Sequence, residues 1–210
     1  MKSIIKNQLS QLGILQHLNA FRMHYETRRW IARGYRGTPP LSVKRKILMA
    51  YLQNYRLTQF IETGTHLGDT LAYIAHDKSI HCTSIELAEV YYKQAKHRFR
   101  AYTNIDLLHG DSGALMPSVI NKLDSPALFW LDGHYSGGLT AQGTIDTPIC
   151  AELEAILMSR HKEHVILIDD VRCFDGTNNY PHLDDLLKVV RDKSNYCAEV
   201  SADIIRLTPR

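Results

Sequence analysis

From residue 58 onward, short apolar runs alternate with longer stretches in which apolar residues recur every three or four positions. The short runs read as strands over residues 59–62, 80–86, 105–109, 127–132 and 164–169. The segments between them read as helices near 67–76, 88–101, 114–123, 148–161 and 183–192. Repeated strand–helix units predict a mainly parallel sheet covered by helices on both faces. The last stretch, CAEVSADIIRLTP, predicts two short strands over 196–200 and 203–207. The link between them is too short for a helical crossover, so one of the pair has to run antiparallel. The pattern therefore predicts seven strands, with an antiparallel strand at the end.

Before residue 58 there is no strand pattern. Ile5, Leu9, Leu12 and Leu15 fall at helical spacing and predict an amphipathic helix. Residues 21–36 are helix-compatible and basic, and Gly37-Thr38-Pro39-Pro40 is a break. Ser42 is the expected cap of a further helix, SVKRKILMAYLQNY, with Ile47, Leu48, Tyr51 and Leu52 on its inner side. The organisation expected is a helical extension over 1–57, serving as a lid or as a substrate or dimer contact, and an α/β domain over 58–210. Arg22, Arg28, Arg29, Arg33, Arg36, Lys44, Arg45 and Lys46 face a single acid, Glu26, in this extension. They read either as solvated helix faces or as a docking surface for an anionic substrate.

Composition narrows the class. The 210 residues suit one domain with an appendage, and 44% hydrophobic content is ordinary for a globular chain. A net charge of +3 gives no reason to expect a nucleic-acid partner. Cys82, Cys150, Cys173 and Cys197 are widely spaced and form no CxxC pair. They read as free, buried thiols in a reducing compartment. No apolar run approaches the ~20 residues of a membrane span, and the N-terminus lacks the apolar core of a signal peptide. A cytoplasmic protein is expected, and apolar positions on the first helix allow a homodimer.

The candidate chemistry lies at the strand ends. The first strand runs into Glu62-Thr63-Gly64-Thr65, with Gly68 four residues after Gly64. Glycines there let the backbone approach a ligand closely, and the following helix turns free N–H groups toward the same place. Acids or polar groups follow the other strands: Glu86, then Gly110-Asp111-Ser112, then Asp132, then Asp169-Asp170. Ligands of open α/β sheets sit outside these carboxyl ends. The turn lacks the GxGxxG pattern of a dinucleotide site, which makes close room for a pyrophosphate. A carboxylate at the end of the second strand suits a pair of ribose hydroxyls. Together these favour S-adenosylmethionine over NAD.

The order ETGTxxG, SIEL, GDS, WLDGH and IDD resembles that of class I S-adenosylmethionine-dependent methyltransferases over residues 58–210. FWLDGHYSGG and ILIDDV resemble the macrocin O-methyltransferase-like group, metal-dependent enzymes that methylate sugar hydroxyls. The resemblance implies a Rossmann-like fold. It implies cofactor contacts from Glu62, Thr63, Gly64, Thr65, Gly68, Glu86, Asp111, Ser112 and Asp132, and a Mg²⁺ site made by Asp132, Asp169 and Asp170. A bound cation lowers the pKa of an acceptor hydroxyl, and three carboxylates make a hard-oxygen site. Asp132 or His134 is the candidate general base, His134 by its intrinsic pKa, and Asp169 completes the catalytic set. His134 stands where the group would carry another acid or polar residue, and the segment 135–147 is distinctive. Within it Gly137, Gly138 and Gly143 are candidate hinges; Tyr135, Asp146 and, just beyond it, Glu152 are candidate substrate contacts.

The expected activity is Mg²⁺-assisted O-methylation of a small hydroxylated acceptor. The alternative is a non-catalytic module that keeps the fold and holds an anionic partner or RNA with its basic helices. A metal-dependent hydrolase would use the same aspartates but leaves Glu62, Gly64 and Glu86 without a role. LDGHYS also lacks the proline–aromatic tetrad expected of a nucleic-acid methyltransferase.

Overall fold

The computed structural model describes residues 14–133 and 147–210, with side chains from residue 21 onward. Ile5, Leu9 and Leu12 lie outside the described residues, as do His134, Tyr135, the three candidate hinge glycines and Asp146. The strands are β1 (Gln59–Thr63), β2 (His81–Glu86), β3 (Ile105–His109), β4 (Ala127–Leu131), β5 (Val165–Ile168), β6 (Tyr196–Ser201) and β7 (Ile204–Pro209). The helices are α1 (Ile14–Ala32), α2 (Leu41–Asn54), α3 (Asp69–Ile74), α4 (Glu89–Arg98), α5 (Ser112–Lys122), α6 (Ile149–Leu157) and α7 (Leu183–Lys193). A 3-10 turn, Val171–Cys173, follows β5.

The seven strands make one sheet in the order β3-β2-β1-β4-β5-β7-β6. β1 pairs in parallel with both β2 and β4. The winding reverses between β1 and β4, and a crevice opens there above the carboxyl ends. β7 is the antiparallel strand, bonded to β5 on one side and β6 on the other. β6 and β7 are joined by Ala202 and Asp203, both at positive φ (52° and 59°). Two positive-φ residues in a two-residue hairpin match the strand twist, and this turn carries Asp203 toward the site.

Period-two alternation divides the core. Ile61, Phe129, Leu131, Ile166 and Ile168 face a cluster with Met116, Ile120, Leu153, Ile156, Leu186 and Val190, from α5, α6 and α7. Phe60, Leu128, Trp130, Val165 and Leu167 face the other cluster, with Leu48 and Leu52 from α2, Leu71 and Ile74 from α3, and Phe99 at the C-cap of α4. Central parallel strands are buried on both faces, which is why ALFWL and VILI are apolar without a break. Each of these large side chains contributes about 1.5–3 kcal/mol by leaving water.

Three local expectations need correction. Ser42 does not cap α2: Pro40 occupies the cap and no side chain bonds to it. Ser42 instead lies inside the helix, buried, with its hydroxyl 3.0 Å from Thr27 Oγ1, so it ties α2 to α1. The helix after β1 spans Asp69–Ile74 rather than 67–76, because Gly68 sits left-handed at its N-cap (φ 71°). Of the thiols only Cys82 is buried; Cys150 and Cys197 are exposed and Cys173 is half-buried. No helix among the described residues is long and apolar enough to cross a membrane.

Candidate functional site

The turn after β1 is held from two sides. Gly64 N–H donates to Ile85 O at 2.9 Å, which fixes the turn to β2. Its φ is +81°, and a Cβ at Gly64 would lie 2.6 Å from the Asp132 carbonyl oxygen. Glycine is therefore required both by backbone conformation and by the approach of the β4 end. A Cβ at Gly68 would lie 2.7 Å from the Phe99 ring. His66 takes φ 48° and donates its N–H to Glu86 Oε2 at 2.7 Å.

Glu86 has a partner on each oxygen: Oε1 accepts from Ala88 N–H at 2.8 Å. The carboxylate at the end of β2 thus braces the turn from β1 and the start of α4 together. Each oxygen keeps a second lone pair for a ligand. Beneath it, Thr65 Oγ1 lies 2.7 Å from Ser84 Oγ, and Ser84 Oγ–H donates to Glu62 Oε2 at 2.8 Å. Glu62 is buried, and burial pushes its carboxyl up to about 8 against the lowering effect of the Ser84 bond. Thr63 is fully buried beside Gly133.

At the next strand end, Asp111 is the N-cap of α5, its Oδ1 accepting from Ala114 N–H at 3.0 Å. Ser112 is buried in the first turn of that helix. Glu152, in the first turn of α6, is buried between these elements, and burial pushes its carboxyl up to about 7. The hydroxyls of Ser112 and Thr63 oppose that rise.

Asp132 follows β4, and Asp169 and Asp170 follow β5. Leu131 pairs with Ile168 in the register of the two strands, so the strands deliver the three carboxylates together. One ligand atom from each lies within 4.8 Å of the others. Burial drives the Asp132 carboxyl well above the usual range, and the neighbouring Asp169 charge adds to it. Asp169 is raised by the same burial. Asp170 sits in the left-handed region (φ 59°), which aspartate tolerates better than most residues. It accepts from Arg172 at 2.7 Å, and Arg172 also bonds Asp203. The hairpin turn of β6 and β7 therefore braces the cluster from behind.

Among the described residues one cation reaches the aspartate cluster from α2, Lys44, which the sequence groups with the general basic run. Lys44 Nζ donates to Asp169 Oδ2, lies 3.9 Å from Asp170 Oδ1, and stands 5.9 Å from the centre of the Trp130 ring. Arg45 stacks over Tyr73 at 5.7 Å. A signal for Lys44 was present: Lys44, Leu48 and Leu52 are spaced by four, which puts a lysine on the buried stripe of α2.

The donor set fits a hard divalent cation. Three carboxylates converge, and Asp169 Oδ1 is buried without a hydrogen-bond partner among the described residues. The turn fits a ligand bearing paired hydroxyls, through the Glu86 carboxylate at the end of β2, whose two oxygens keep lone pairs beyond the backbone N–H groups they accept.

No family model matches the sequence, and no curated protein matches it. Solved structures do. The chain is similar to an O-methyltransferase from Bacillus cereus in complex with S-adenosylhomocysteine, at 15% identity over 89% of this chain and 90% of that one, with a TM-score of 0.59. It is similar to the O-methyltransferase TomG from Streptomyces achromogenes, involved in tomaymycin synthesis and in complex with S-adenosylmethionine, at 11% identity over 90% and 89%, TM-score 0.55. It is also similar to the S-adenosylhomocysteine-bound methyltransferase PaMTH1 from Podospora anserina, at 12% identity over 91% and 87%, TM-score 0.56. At these identities the likeness is one of fold: the chain has the Rossmann-like sheet that these methyltransferases have.

Proposed function

We propose that the chain is an S-adenosylmethionine-dependent methyltransferase that acts on a hydroxyl of a small molecule, assisted by Mg²⁺. The carrying observation is the bracing of the β1 turn by Glu86 at the switch point, directly beside the aspartate cluster. The fold neighbours support it, since those cited hold S-adenosylmethionine or its product.

In this reading the β1 turn and Glu86 bind the nucleoside, with Glu86 accepting from ribose hydroxyls on its remaining lone pairs. Thr63, Thr65, Gly68, Asp111 and Ser112 complete the cofactor wall. Glu62, protonated at neutral pH by its burial, and Ser84 hold the floor of the turn rather than carrying charge. The cofactor supplies an activated methyl group, so alignment is the main demand on the protein. Asp132, Asp169 and Asp170 would hold Mg²⁺, which lowers the pKa of an acceptor hydroxyl. Asp132 or His134 receives the acceptor proton. A sugar or a related polyhydroxylated natural product is the acceptor class that the sequence resemblance favours. The N-terminal helices cover the acceptor side through α2.

The test is calorimetric titration of S-adenosylhomocysteine into wild type and Glu86→Ala. Saturable binding lost in the variant is the expected result, and absence of binding to wild type rejects the proposal.

A further inference from the structure

We propose that Lys44 is a built-in cation of the aspartate cluster that competes with the divalent metal for Asp169. The inference rests on reading Asp132, Asp169 and Asp170 as a metal site, and goes beyond it by naming the residue that sets the affinity of that site.

The geometry places the lysine where a metal would bind. Its ammonium bonds Asp169 Oδ2 and lies 3.9 Å from Asp170 Oδ1, and its side chain is only 12% exposed. The stem rises from the buried stripe of α2. One turn further along α2, Leu48 is fully buried against the sheet, and Leu52 follows it. Trp130, on the strand that delivers Asp132, lies beneath the ammonium. Lys46, on the other side of the same helix, is exposed.

A buried carboxylate needs a partner, and removing one partner of such a pair leaves an uncompensated charge. Lys44 supplies that partner in the metal-free protein. A divalent cation bound by Asp169 and Asp170 would lie close to the ammonium, and two cations at this range repel in a poorly solvated site. The lysine therefore has to leave Asp169 as the metal arrives. Metal uptake displaces a side chain of α2, and so is linked to the helices that cover the acceptor side.

The probe is Mn²⁺, followed by the loss of the free-ion electron paramagnetic resonance signal, on wild type, Lys44→Met and Lys44→Gln. Competition predicts that both variants bind Mn²⁺ more tightly than wild type by about tenfold or more, as expected for removing a like charge at close range. Equal or weaker binding by the variants overturns the inference while leaving the metal site standing. If neither wild type nor variants bind Mn²⁺ at millimolar concentration, the metal reading fails and the inference falls with it. A measurement on wild type alone covers variants that do not fold. Amine acetylation read by peptide mass spectrometry should show Lys44 slow without Mn²⁺ and faster with it, while exposed Lys46 stays constant. An unchanged or slower Lys44 rate on adding Mn²⁺ overturns the inference.

Discussion

The Asp132 carbonyl oxygen lies 2.6 Å from where a Cβ on Gly64 would stand. The ends of β1 and β4 therefore meet at a contact that only glycine permits. Because Gly64 also takes φ +81°, Gly64→Ala is expected to strain the turn twice. The predicted cost is on the order of 2 kcal/mol or more, read as a lower denaturation midpoint. A change within about 0.5 kcal/mol, the usual range for surface sites, would mean the two strand ends are free to separate.

Glu86 accepts one backbone N–H on each oxygen. Glu86→Gln keeps the shape but turns one oxygen into a donor, so the His66 or the Ala88 N–H loses its acceptor. An unmatched buried donor costs roughly 1–3 kcal/mol. Thermal melting should report that loss, and calorimetry should report a fall of about tenfold or more in S-adenosylhomocysteine affinity, which is about 1.4 kcal/mol. A variant that melts lower yet binds the ligand normally would confine Glu86 to bracing.

The Glu62 carboxyl is raised from 4.5 to about 8 by burial. The folded chain thus holds this proton more tightly than the unfolded chain. The stability tied to that proton is complete below pH 4.5 and is lost as pH rises through about 8. Melting temperature should decline across this window in wild type, and less steeply in Glu62→Gln, which stays neutral. Parallel curves for the two proteins would show that Glu62 is solvated.

His164 behaves in the opposite sense. Its Nδ1 accepts from Ala127 N–H at 3.0 Å, and its Nε2 lies 2.8 Å from Ser159 Oγ. Burial lowers it from 6.5 to about 4, so the neutral form belongs to the fold. Its contribution is present above pH 6.5 and is lost as pH falls through about 4. His164→Asn retains an acceptor without a titration, and should flatten the acid side of the melting curve; a steeper acid side would contradict this.

Much of the sheet could be read in the sequence because its central strands are buried on both faces. ALFWL and VILI have no other comfortable location, and the tight CAEVSADIIRLTP ending forced a reversed strand. The acids at the strand ends could be read for the same reason: in-register parallel strands bring their ends together, and Asp132 and Asp169 lie side by side. What could not be read depended on contacts distant in sequence. Lys44 reaches Asp169 across 125 residues, and Arg172 reaches Asp203 only through the β6–β7 hairpin. Glu86 reads as a ligand group, and its two backbone N–H partners, from His66 and Ala88, depend on contacts that the sequence does not show. Ser42 has the composition of a cap, yet Pro40 fixes the chain direction first and Thr27 takes its hydroxyl.

The central claim is that the β1 turn and Glu86 bind S-adenosylmethionine, and equilibrium binding of S-adenosylhomocysteine by calorimetry tests it most directly. The account predicts saturable binding with one site per chain in wild type and none in Glu86→Ala that is otherwise folded. No detectable binding by folded wild type, with or without Mg²⁺, would contradict it.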